Sequence, residues 1–593
     1  MNGILGQLLG RLLREGRSGP GEVRLDIAWL CCLVLLLIGT GIGLRDPWPA
    51  DEPRFALIAR DMVASHQWLI PQVGGDNYAD KPPLFFWLIA GVLTLTGSLR
   101  IAFLLPSILA GLGCVLLIYD LARRLWNRET GLAAALALLA TVQFVWQPRQ
   151  AQIDATLCFF VTLSLYGLLR HCLLGPAWKW YAIGWAAAGF GIITKGVGFL
   201  PLLILIPYAL LRAPAWQPRP AVAAHGWRWA LGPLALLAAV AVWLAPMLIA
   251  ANHDPALAQY RDEILFKQTV NRYADPWHHR EPFWYFFVEV IPPLWLPLTA
   301  LLPWLVPRWR QSWRARDLRV VLPLAWVVLV VLFFSMSGGK RGVYVLPAVP
   351  ALALACAPWL GEIARRRGAQ RTLFGIACAI AVICVGAAIF LAMNGHQRAK
   401  VLDNYEIDAL APLLAIGIFA GLACLVARPA RGFAAYGFTI AVTLVVVSFW
   451  VNPAMNDARS GAGFIRSVLA MTRDVRELGL VAYKEQYLLH LDRPVTTFGH
   501  ARWREAEQEA ADAAAWLSAD SSRVLLVDNW VREKCFASAT ATPVDTANRI
   551  QWSLVTGGAN PSCVAKGKSS AAIYYDPRSP GAGVKPTTGQ PSN

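Results

Sequence analysis

The sequence predicts a polytopic all-α membrane domain of about thirteen transmembrane helices, followed by a small C-terminal α/β domain. Hydrophobic residues make up 56% of the 593 residues and charged residues only 15%, whereas soluble domains are about a quarter charged. Apolar runs long enough to cross a bilayer recur between residues 26 and 451. After residue 452 the chain becomes polar and alternates helix-like with strand-like segments, which is typical of an α/β domain.

The predicted spans follow one another with short connections. In chain order they are residues 26–44, 99–119, 131–147, 155–173, 179–194, 197–212, 230–250, 288–306, 320–336, 344–361, 372–393, 409–427 and 434–451. An odd number of spans places the two termini on opposite sides of the membrane. The first span has a basic leader but no small-residue cleavage site after it, so we interpret it as an uncleaved anchor.

The basic residues set the orientation. They cluster in short segments near the N-terminus and at 123–128, 308–319 and 365–367. Such loops mark the cytoplasmic side, and all four segments lie there if the N-terminus is cytoplasmic. The apolar stretch 82–97 would break this agreement if it crossed the membrane, so it is predicted as an interfacial or short re-entrant helix.

This topology divides the chain into three parts. Residues 1–451 form the transmembrane domain, with long outer loops at 45–98 and 251–287. Residues 452–575 form the outer α/β domain, and residues 576–593, rich in Pro, Gly, Ser and Thr, are predicted to be disordered. Cys535 and Cys563 lie in the polar domain, where they form either a disulfide or two free thiols.

The net charge of +17 does not indicate nucleic acid, because topology accounts for the placement of the basic residues. The sequence contains no Walker loop, dinucleotide-binding glycine fingerprint or four-cysteine metal motif, which argues against a soluble nucleotide site.

The outer segments carry an unusual set of charged residues. They include Asp51, Glu52, Arg54, Tyr78, Asp80 and Lys81 in the first loop, Arg149, Asp154 and Lys195 in turns, Arg272, His278, His279, Arg280 and Glu281 in the second loop, and Lys340, Arg341 and Tyr344 after it. Charged groups at membrane depth pair or line a wet cavity. We therefore expect one outer cavity whose cations bind a phosphate. Alternatively, single cations could be interfacial anchors and Asp51–Glu52 could cap the following helix.

Three motifs occur together. The first loop reads "DEPRFALIARDMVASHQWLIPQVGGDNYADKPPL", and "ITKGVGFLP" and "SGGKRGVYVLP" follow in order. This block resembles the integral-membrane glycosyltransferases of the GT-C superfamily. Within it the chain looks most like the bacterial aminoarabinose (4-amino-4-deoxy-L-arabinose) lipid A transferases and the related protein-mannosyltransferase-like enzymes.

The resemblance implies an inverting transfer of aminoarabinose, or a related pentose or hexose, from undecaprenyl phosphate to lipid A or another envelope acceptor. It places the reaction on the periplasmic side of the bacterial inner membrane. The implied partners are the lipid-linked donor, the acceptor and membrane lipids, with no nucleic acid, and the protein is expected to be a monomer.

The resemblance also assigns roles to residues. Asp51 falls on the acid at the centre of the site and Asp154 on a second acid, while Lys81, Arg272 and Tyr344 fall on groups that hold the lipid phosphate. We add Glu52 to the catalytic candidates and Lys340, Arg54 and Tyr78 to the phosphate-binding candidates.

The chain departs from the family pattern at two positions. Asp80 replaces a glutamate that the family associates with a divalent metal, and Phe55 replaces a common tyrosine. The sequence requires no cofactor, but Asp80 with His278 or His279 would form a site for zinc or magnesium. The departures leave the sugar and the acceptor open.

Three other functions remain as alternatives. A related GT-C enzyme could glycosylate protein Ser/Thr or another glycan. A flippase for lipid-linked sugars predicts acids near the midplane and inverted repeats, whereas here the acids lie at the outer edge. A structural scaffold would leave the outer charges without a purpose.

Overall fold

The computed structural model describes residues 20–211, 215–218, 226–265, 280–499 and 506–580. The chain forms two compact units. The first, here the helical unit, comprises Met1–Ile42, Leu104–Phe390 and Leu410–Phe449. The second, here the mixed unit, comprises Gly43–Phe103, Leu391–Ala409 and Trp450–Asn593. The predicted first loop and the predicted C-terminal domain therefore fold within the same unit.

Eight helices among the described residues are long and apolar enough to cross a membrane, and the number rises to ten if each of two bent pairs is one span. The eight are Leu99–Leu125, Ile153–Leu174, Gly226–Ala251, Leu318–Met336, Gly342–Ala364, Arg367–Met393, Leu410–Ala427 and Pro429–Ala454. The bent pairs are Arg128–Ala140 with Val142–Arg149, at 71°, and Phe286–Leu294 with Thr299–Arg314, at 94°. A multi-span membrane protein is thus confirmed, and the count of thirteen stays a prediction.

The three other predicted spans coincide with shorter or more polar helices. They are Pro20–Leu37, Trp178–Ile192, and a 3-10 helix Gly196–Ile204 that continues as Leu205–Leu210. The stretch 82–97 forms the helix Leu84–Thr96, 13 residues long. At 1.5 Å per residue this helix is about 20 Å long, shorter than the hydrocarbon core. It ends at Gly97, whose positive φ of 65° suits a helix C-terminus.

Close helix packing and a buried ion pair stabilise the helical unit. A Cβ on Gly184 would lie 2.9 Å from the carbonyl oxygen of Ser164, so glycine lets two neighbouring helices approach closely. The buried carboxylate of Asp26 accepts hydrogen bonds from Arg128 Nη2 at 2.6 Å and from Tyr119 Oη at 2.6 Å. These contacts satisfy a charge that would otherwise be costly to bury.

The mixed unit contains the first-loop helix Glu52–Ser65, the helix Leu84–Thr96 and a six-stranded sheet. A short hairpin, β1 (Gln72–Val73) and β2 (Asp76–Asn77), follows the first-loop helix. The sheet strands are β3 (Glu477–Leu480), β4 (Val495–Thr497), β5 (Arg523–Asp528), β6 (Thr540–Ala547), β7 (Ile550–Thr556) and β8 (Ile573–Tyr575). Their order is β6-β7-β5-β3-β4-β8. Strand β3 is parallel to β4 and β5, and the other pairs are antiparallel.

Helices cover this sheet and enclose its core. The helices after residue 452 are Asn452–Ala454, Asn456–Ser460, Ala462–Met471, Glu485–Leu489, Ala506–Ser518, Asn529–Cys535 and Pro561–Lys566. The core contains Val481, Phe498, Trp516, Leu525, Val527 and Val555. Cys535 and Cys563 form a disulfide between the last two helices, with 5.8 Å between their Cα atoms, which is one of the two predicted alternatives. The other nine cysteines of the described chain are free.

Candidate functional site

In the helical unit, an acid, a lysine and an aromatic ring from three turns meet. We call Asp154, Lys195 and Tyr344 the turn cluster. Lys195 Nζ donates to Asp154 Oδ1 at 2.6 Å and lies 4.4 Å from the centre of the Tyr344 ring. The side chain of Lys195 is 18% exposed and that of Asp154 is 11% exposed. The cluster thus contains a largely buried ammonium, balanced by one carboxylate and resting on an aromatic face.

The positions of these residues follow from local structure. Asp154 lies in the first turn of the helix Ile153–Leu174, where the helix dipole favours an acid. Lys195 immediately precedes the 3-10 helix Gly196–Ile204, and Tyr344 lies in the 3-10 helix Gly342–Ala348. Each residue therefore belongs to a helix end and not to the middle of a span.

An apolar cavity lies beside the turn cluster. Its walls are formed by Leu157, Val161, Val197, Leu200, Trp326, Val330, Phe334 and Pro347. Leu157 follows Asp154 by three positions and Pro347 follows Tyr344 by three, so the same helix ends supply both the polar cluster and the cavity wall. The cavity is no larger than a single water molecule, so it is a packing void between these helix ends.

The turn at 337–343 holds Lys340 against the end of the second loop. Lys340 Nζ donates to the carbonyl oxygen of Glu281 at 2.6 Å, and Arg280 pairs with Gly339 as an antiparallel bridge. Burial lowers the pKa of Lys340, and the carboxylate of Glu281 opposes this shift. Nearby, Gln143 Nε2 donates to the carbonyl oxygen of Gly342 at 2.8 Å. These contacts fix the segment that leads into Tyr344.

In the mixed unit, Asp51 occupies the position just before the first-loop helix. Within the described part of the chain its carboxylate does not cap that helix. Glu52 has a different environment, since its two oxygens accept hydrogen bonds from both terminal nitrogens of Arg45. Glu52 Oε2 also accepts from the backbone N–H of Trp48 at 2.9 Å. The buried Arg45–Glu52 pair therefore fixes the chain that presents Asp51.

Arg54 and Tyr78 lie together in the same loop. Arg54 donates from Nε and Nη2 to Glu485 Oε1 at 2.8 and 2.6 Å, and its guanidinium lies 5.8 Å from the centre of the Tyr78 ring. Burial raises the pKa of Tyr78 most, and the negative charges of Asp80 and Asp51 raise it further, while Arg54 opposes them. Tyr78 is therefore a hydroxyl donor at neutral pH, within electrostatic reach of both acids.

The remaining predicted site residues lie in the first and second loops. Lys81 Nζ donates to the carbonyl oxygen of Asp80 at 3.0 Å. Arg272, His278 and His279 lie outside the described residues. Among the residues that are described, no group of three or more His, Cys, Asp and Glu side chains is arranged to hold a metal ion.

The structure adds contacts that the sequence did not reveal. Lys195 was noted as an outer cation without an assigned role, and the structure pairs it with Asp154. Glu485 was missed altogether, because nothing in "VAYKEQY" distinguishes it from an ordinary surface acid. That the clusters of the two units serve one cavity stays a prediction from the sequence.

The chain is similar to known membrane glycosyltransferases. Residues 80–245 match the family model of the dolichyl-phosphate-mannose-protein mannosyltransferases. Over 406 residues, 65% of this chain and 69% of the relative, the chain is 32% identical to the undecaprenyl phosphate-alpha-4-amino-4-deoxy-L-arabinose arabinosyl transferase of Pseudomonas aeruginosa PAO1. Over 416 residues, 67% of this chain and 71% of the relative, it is 31% identical to the corresponding transferase 2 of Sodalis glossinidius.

A solved structure has the same fold. The crystal structure of ArnT from Cupriavidus metallidurans bound to undecaprenyl phosphate superposes with a TM-score of 0.71, covering 91% of this chain and 98% of that one at 20% identity. Its apo form gives a TM-score of 0.70. The chain therefore has the fold of a known multi-span membrane protein.

Proposed function

The chain belongs to the family of undecaprenyl phosphate-α-4-amino-4-deoxy-L-arabinose arabinosyl transferases, and from this premise we infer that it transfers aminoarabinose from undecaprenyl phosphate to lipid A. The membership confirms the resemblance that the first-loop motif predicted. The chain is accordingly a polyprenyl-phosphate-sugar-dependent glycosyltransferase of the membrane.

The observation that carries the proposed mechanism is the turn cluster. An ammonium has three N–H donors, and Asp154 accepts one from Lys195, so the group can also donate to a phosphate oxygen. Tyr344 supports the cation through its ring face. Together these features fit the phosphate head of an anionic lipid.

During the reaction, the bond between the anomeric carbon and the phosphate oxygen breaks as the acceptor oxygen attacks from the opposite face. The electron pair of the broken bond stays on undecaprenyl phosphate, which leaves, and the anomeric carbon is inverted. Lys195 stabilises the charge that builds on the leaving oxygen, with Lys81, Lys340 and Arg272 as further phosphate ligands. A well-placed donor of this kind contributes about 3–4 kcal/mol.

We assign the acceptor side of the reaction to the first loop. Asp51 orients the acceptor and takes its proton when the acceptor is a hydroxyl; a lipid A phosphate is already ionised and needs only orientation. Tyr78 donates a hydrogen bond from its hydroxyl group, and Arg54 holds the Tyr78 side chain in place. Glu52, the third predicted catalytic acid with Asp51 and Asp154, acts here by fixing the loop through Arg45.

The finer topology belongs to the same proposal. We place the N-terminus in the cytoplasm, the loops 45–98 and 251–287 and the domain 452–575 in the periplasm, and count thirteen spans in a monomer of the inner membrane. The Arg-rich short loops support this orientation, and the Cys535–Cys563 disulfide suits an oxidising compartment.

A divalent metal has no step in this mechanism. Of the predicted ligands, Asp80 alone lies in the described part of the chain, and the neighbouring Lys81 ammonium bonds to its backbone carbonyl. The predicted ligands His278 and His279 lie outside the described residues, so the zinc or magnesium site stays a prediction.

The function is tested by reconstituting the purified protein in vesicles with undecaprenyl phosphate-linked aminoarabinose and lipid A. We expect mass spectrometry to detect lipid A carrying one added aminoarabinose and released undecaprenyl phosphate. Asp51→Asn should abolish this product, whereas Asp408→Asn, which breaks an exposed ion pair with Arg398, should not.

The alternatives predict different products in the same vesicles. Sugar on an added serine-rich peptide, with unmodified lipid A, would indicate the protein glycosyltransferase. Donor that changes leaflet without losing its sugar would indicate the flippase. Either result would refute lipid A as the acceptor.

A further inference from the structure

Two arginines of the first-loop helix bond to the C-terminal part of the mixed unit. Arg54 donates twice to Glu485. Arg60 Nη1 donates to the carbonyl oxygen of Leu488 at 3.2 Å, and Arg60 Nη2 donates to Tyr575 Oη. The helix that begins next to Asp51 is therefore held by charge-assisted hydrogen bonds along its length.

The Arg54–Glu485 contact lies beyond the carboxyl end of β3. Strands β3, β4 and β5 are parallel, and β3 lies between the other two. The chain thus moves from β3 to β4 on one side and then crosses to β5 on the other. In open α/β sheets, this change of direction leaves a crevice at the carboxyl ends of the strands, where ligands bind. Glu485 begins the helix that follows β3.

The first loop occupies that edge. Gly74, in the turn between β1 and β2, has a φ of 58°, and a Cβ there would lie 2.6 Å from Tyr483 Oη, in the segment after β3. Thr497, the last residue of β4, donates from Oγ1 to the carbonyl oxygen of Gly74 at 3.5 Å. The carboxyl edge of the parallel strands therefore holds the hairpin that leads to Tyr78.

We propose that Glu485 is a positioning residue for the transfer reaction, acting through Arg54 on Tyr78 and Asp51. The proposal rests on the function inferred above. Arg54 lies over the Tyr78 ring, and the charges of Asp51 and Asp80 act on the same tyrosine. Glu485 neutralises the guanidinium and fixes its plane. Without that carboxylate, Arg54 turns toward the first-loop acids and pairs with the groups that orient the acceptor.

The chain offers a matched control for this pair. Glu477 Oε2 accepts from Arg523 Nε at 2.8 Å, with side chains 28% and 17% exposed, and Glu477 lies at the far end of β3. The Glu485–Arg54 side chains are 12% and 24% exposed. Glu485→Gln and Glu477→Gln therefore remove the same charge from two ion pairs of similar burial in one unit, of which only the first touches the first loop.

In reconstituted vesicles, we expect Glu485→Gln to lower kcat with lipid A by about tenfold to a hundredfold, the equivalent of one or two charged hydrogen bonds. Glu477→Gln should keep the activity of the unchanged protein. Glu485→Asp, which keeps the charge but is shorter, should retain more activity than Glu485→Gln, which keeps the shape. A packing role predicts the opposite order, so activity of the Gln variant at or above that of the Asp variant would overturn the proposal.

A second measurement does not depend on the reaction. Hydrogen exchange of the purified full chain should be faster by about tenfold or more at residues 72–81 in Glu485→Gln than in Glu477→Gln, because loss of the anchor lets the hairpin open locally. If the unchanged protein transfers nothing to lipid A, the proposed function fails, and the exchange result decides the inference alone. Equal exchange in the two variants would refute the anchoring role.

Discussion

Replacing Lys195 by methionine tests the turn cluster, because the change removes the charge while keeping most of the apolar stem. Lys195 Nζ is 2.6 Å from Asp154 Oδ1. At an effective dielectric constant of about 20, two unit charges at this distance attract by about 6 kcal/mol before desolvation is counted. Breaking a buried pair by removing one partner costs about 3–5 kcal/mol. Since the side chains of Lys195 and Asp154 are 18% and 11% exposed, we expect Lys195→Met to lower the free energy of unfolding by about 3 kcal/mol.

The assay is a double-mutant cycle measured by thermal unfolding in detergent and by donor kinetics in vesicles. Lys195→Met and Asp154→Asn should each destabilise the protein. The double variant should be more stable than their summed effects imply, with a coupling of about 2 kcal/mol. Lys195→Met and the double variant should also have a higher KM for the lipid-linked donor than the unchanged protein.

A control at another ion pair of the helical unit separates stability from function. Asp26→Asn breaks the ion pair with Arg128. The nitrogen–oxygen distance of that pair is also 2.6 Å, and the side chains of Arg128 and Asp26 are 11% and 0% exposed. Asp26→Asn should lower stability by a similar amount and leave the donor KM unchanged. Additive effects of Lys195→Met and Asp154→Asn, or an equal rise of KM in Asp26→Asn, would refute our account of the turn cluster.

The other predictions concern the mixed unit. Lys81→Ala should raise the donor KM without lowering the melting temperature, since the side chain is only partly buried; an unchanged KM would contradict its role at the phosphate. Burial raises the pKa of Asp61 from 3.8 to about 6 against the opposing effects of Arg60 and Tyr575. The folded state therefore binds this proton more tightly, so Asp61 contributes stability below pH 4 that is lost as the pH rises to about 6, by about 3 kcal/mol. Asp61→Asn should flatten the dependence of melting temperature on pH in that window. A variant with the same slope as the unchanged protein would disprove the assignment. Cys535→Ser with Cys563→Ser should lower the unfolding free energy by about 3–4 kcal/mol, and reduction should reproduce this shift; equal melting temperatures would exclude a stabilising bridge.

The spans and the family could be predicted from the sequence because both depend on neighbouring residues. A helix crosses the bilayer when about twenty successive residues are apolar, and the stretch 82–97 was recognised as an exception from charge placement alone. The first-loop motif likewise lies within 34 successive letters. The lengths of individual helices were harder to predict, since the bends at 71° and 94° arise where neighbouring helices replace the lost backbone contacts.

The structure decided some of the alternatives that the sequence left open. Asp51 could have capped its helix, but in the described chain its carboxylate does not. The neighbouring Glu52, predicted as catalytic from its place beside Asp51, is bonded on both oxygens by Arg45. Two adjacent acids thus have different environments, which composition and spacing do not distinguish.

The sequence by itself determined that this chain is a membrane glycosyltransferase with a charged first loop, because hydrophobicity and motifs are local properties. Only the tertiary structure decided which charge pairs with which. Lys195 meets Asp154 across 41 positions and Arg54 meets Glu485 across 431. A salt bridge needs its two groups within about 4 Å, and such proximity between distant residues is created by the packing of helices and strands, not by the order of the residues.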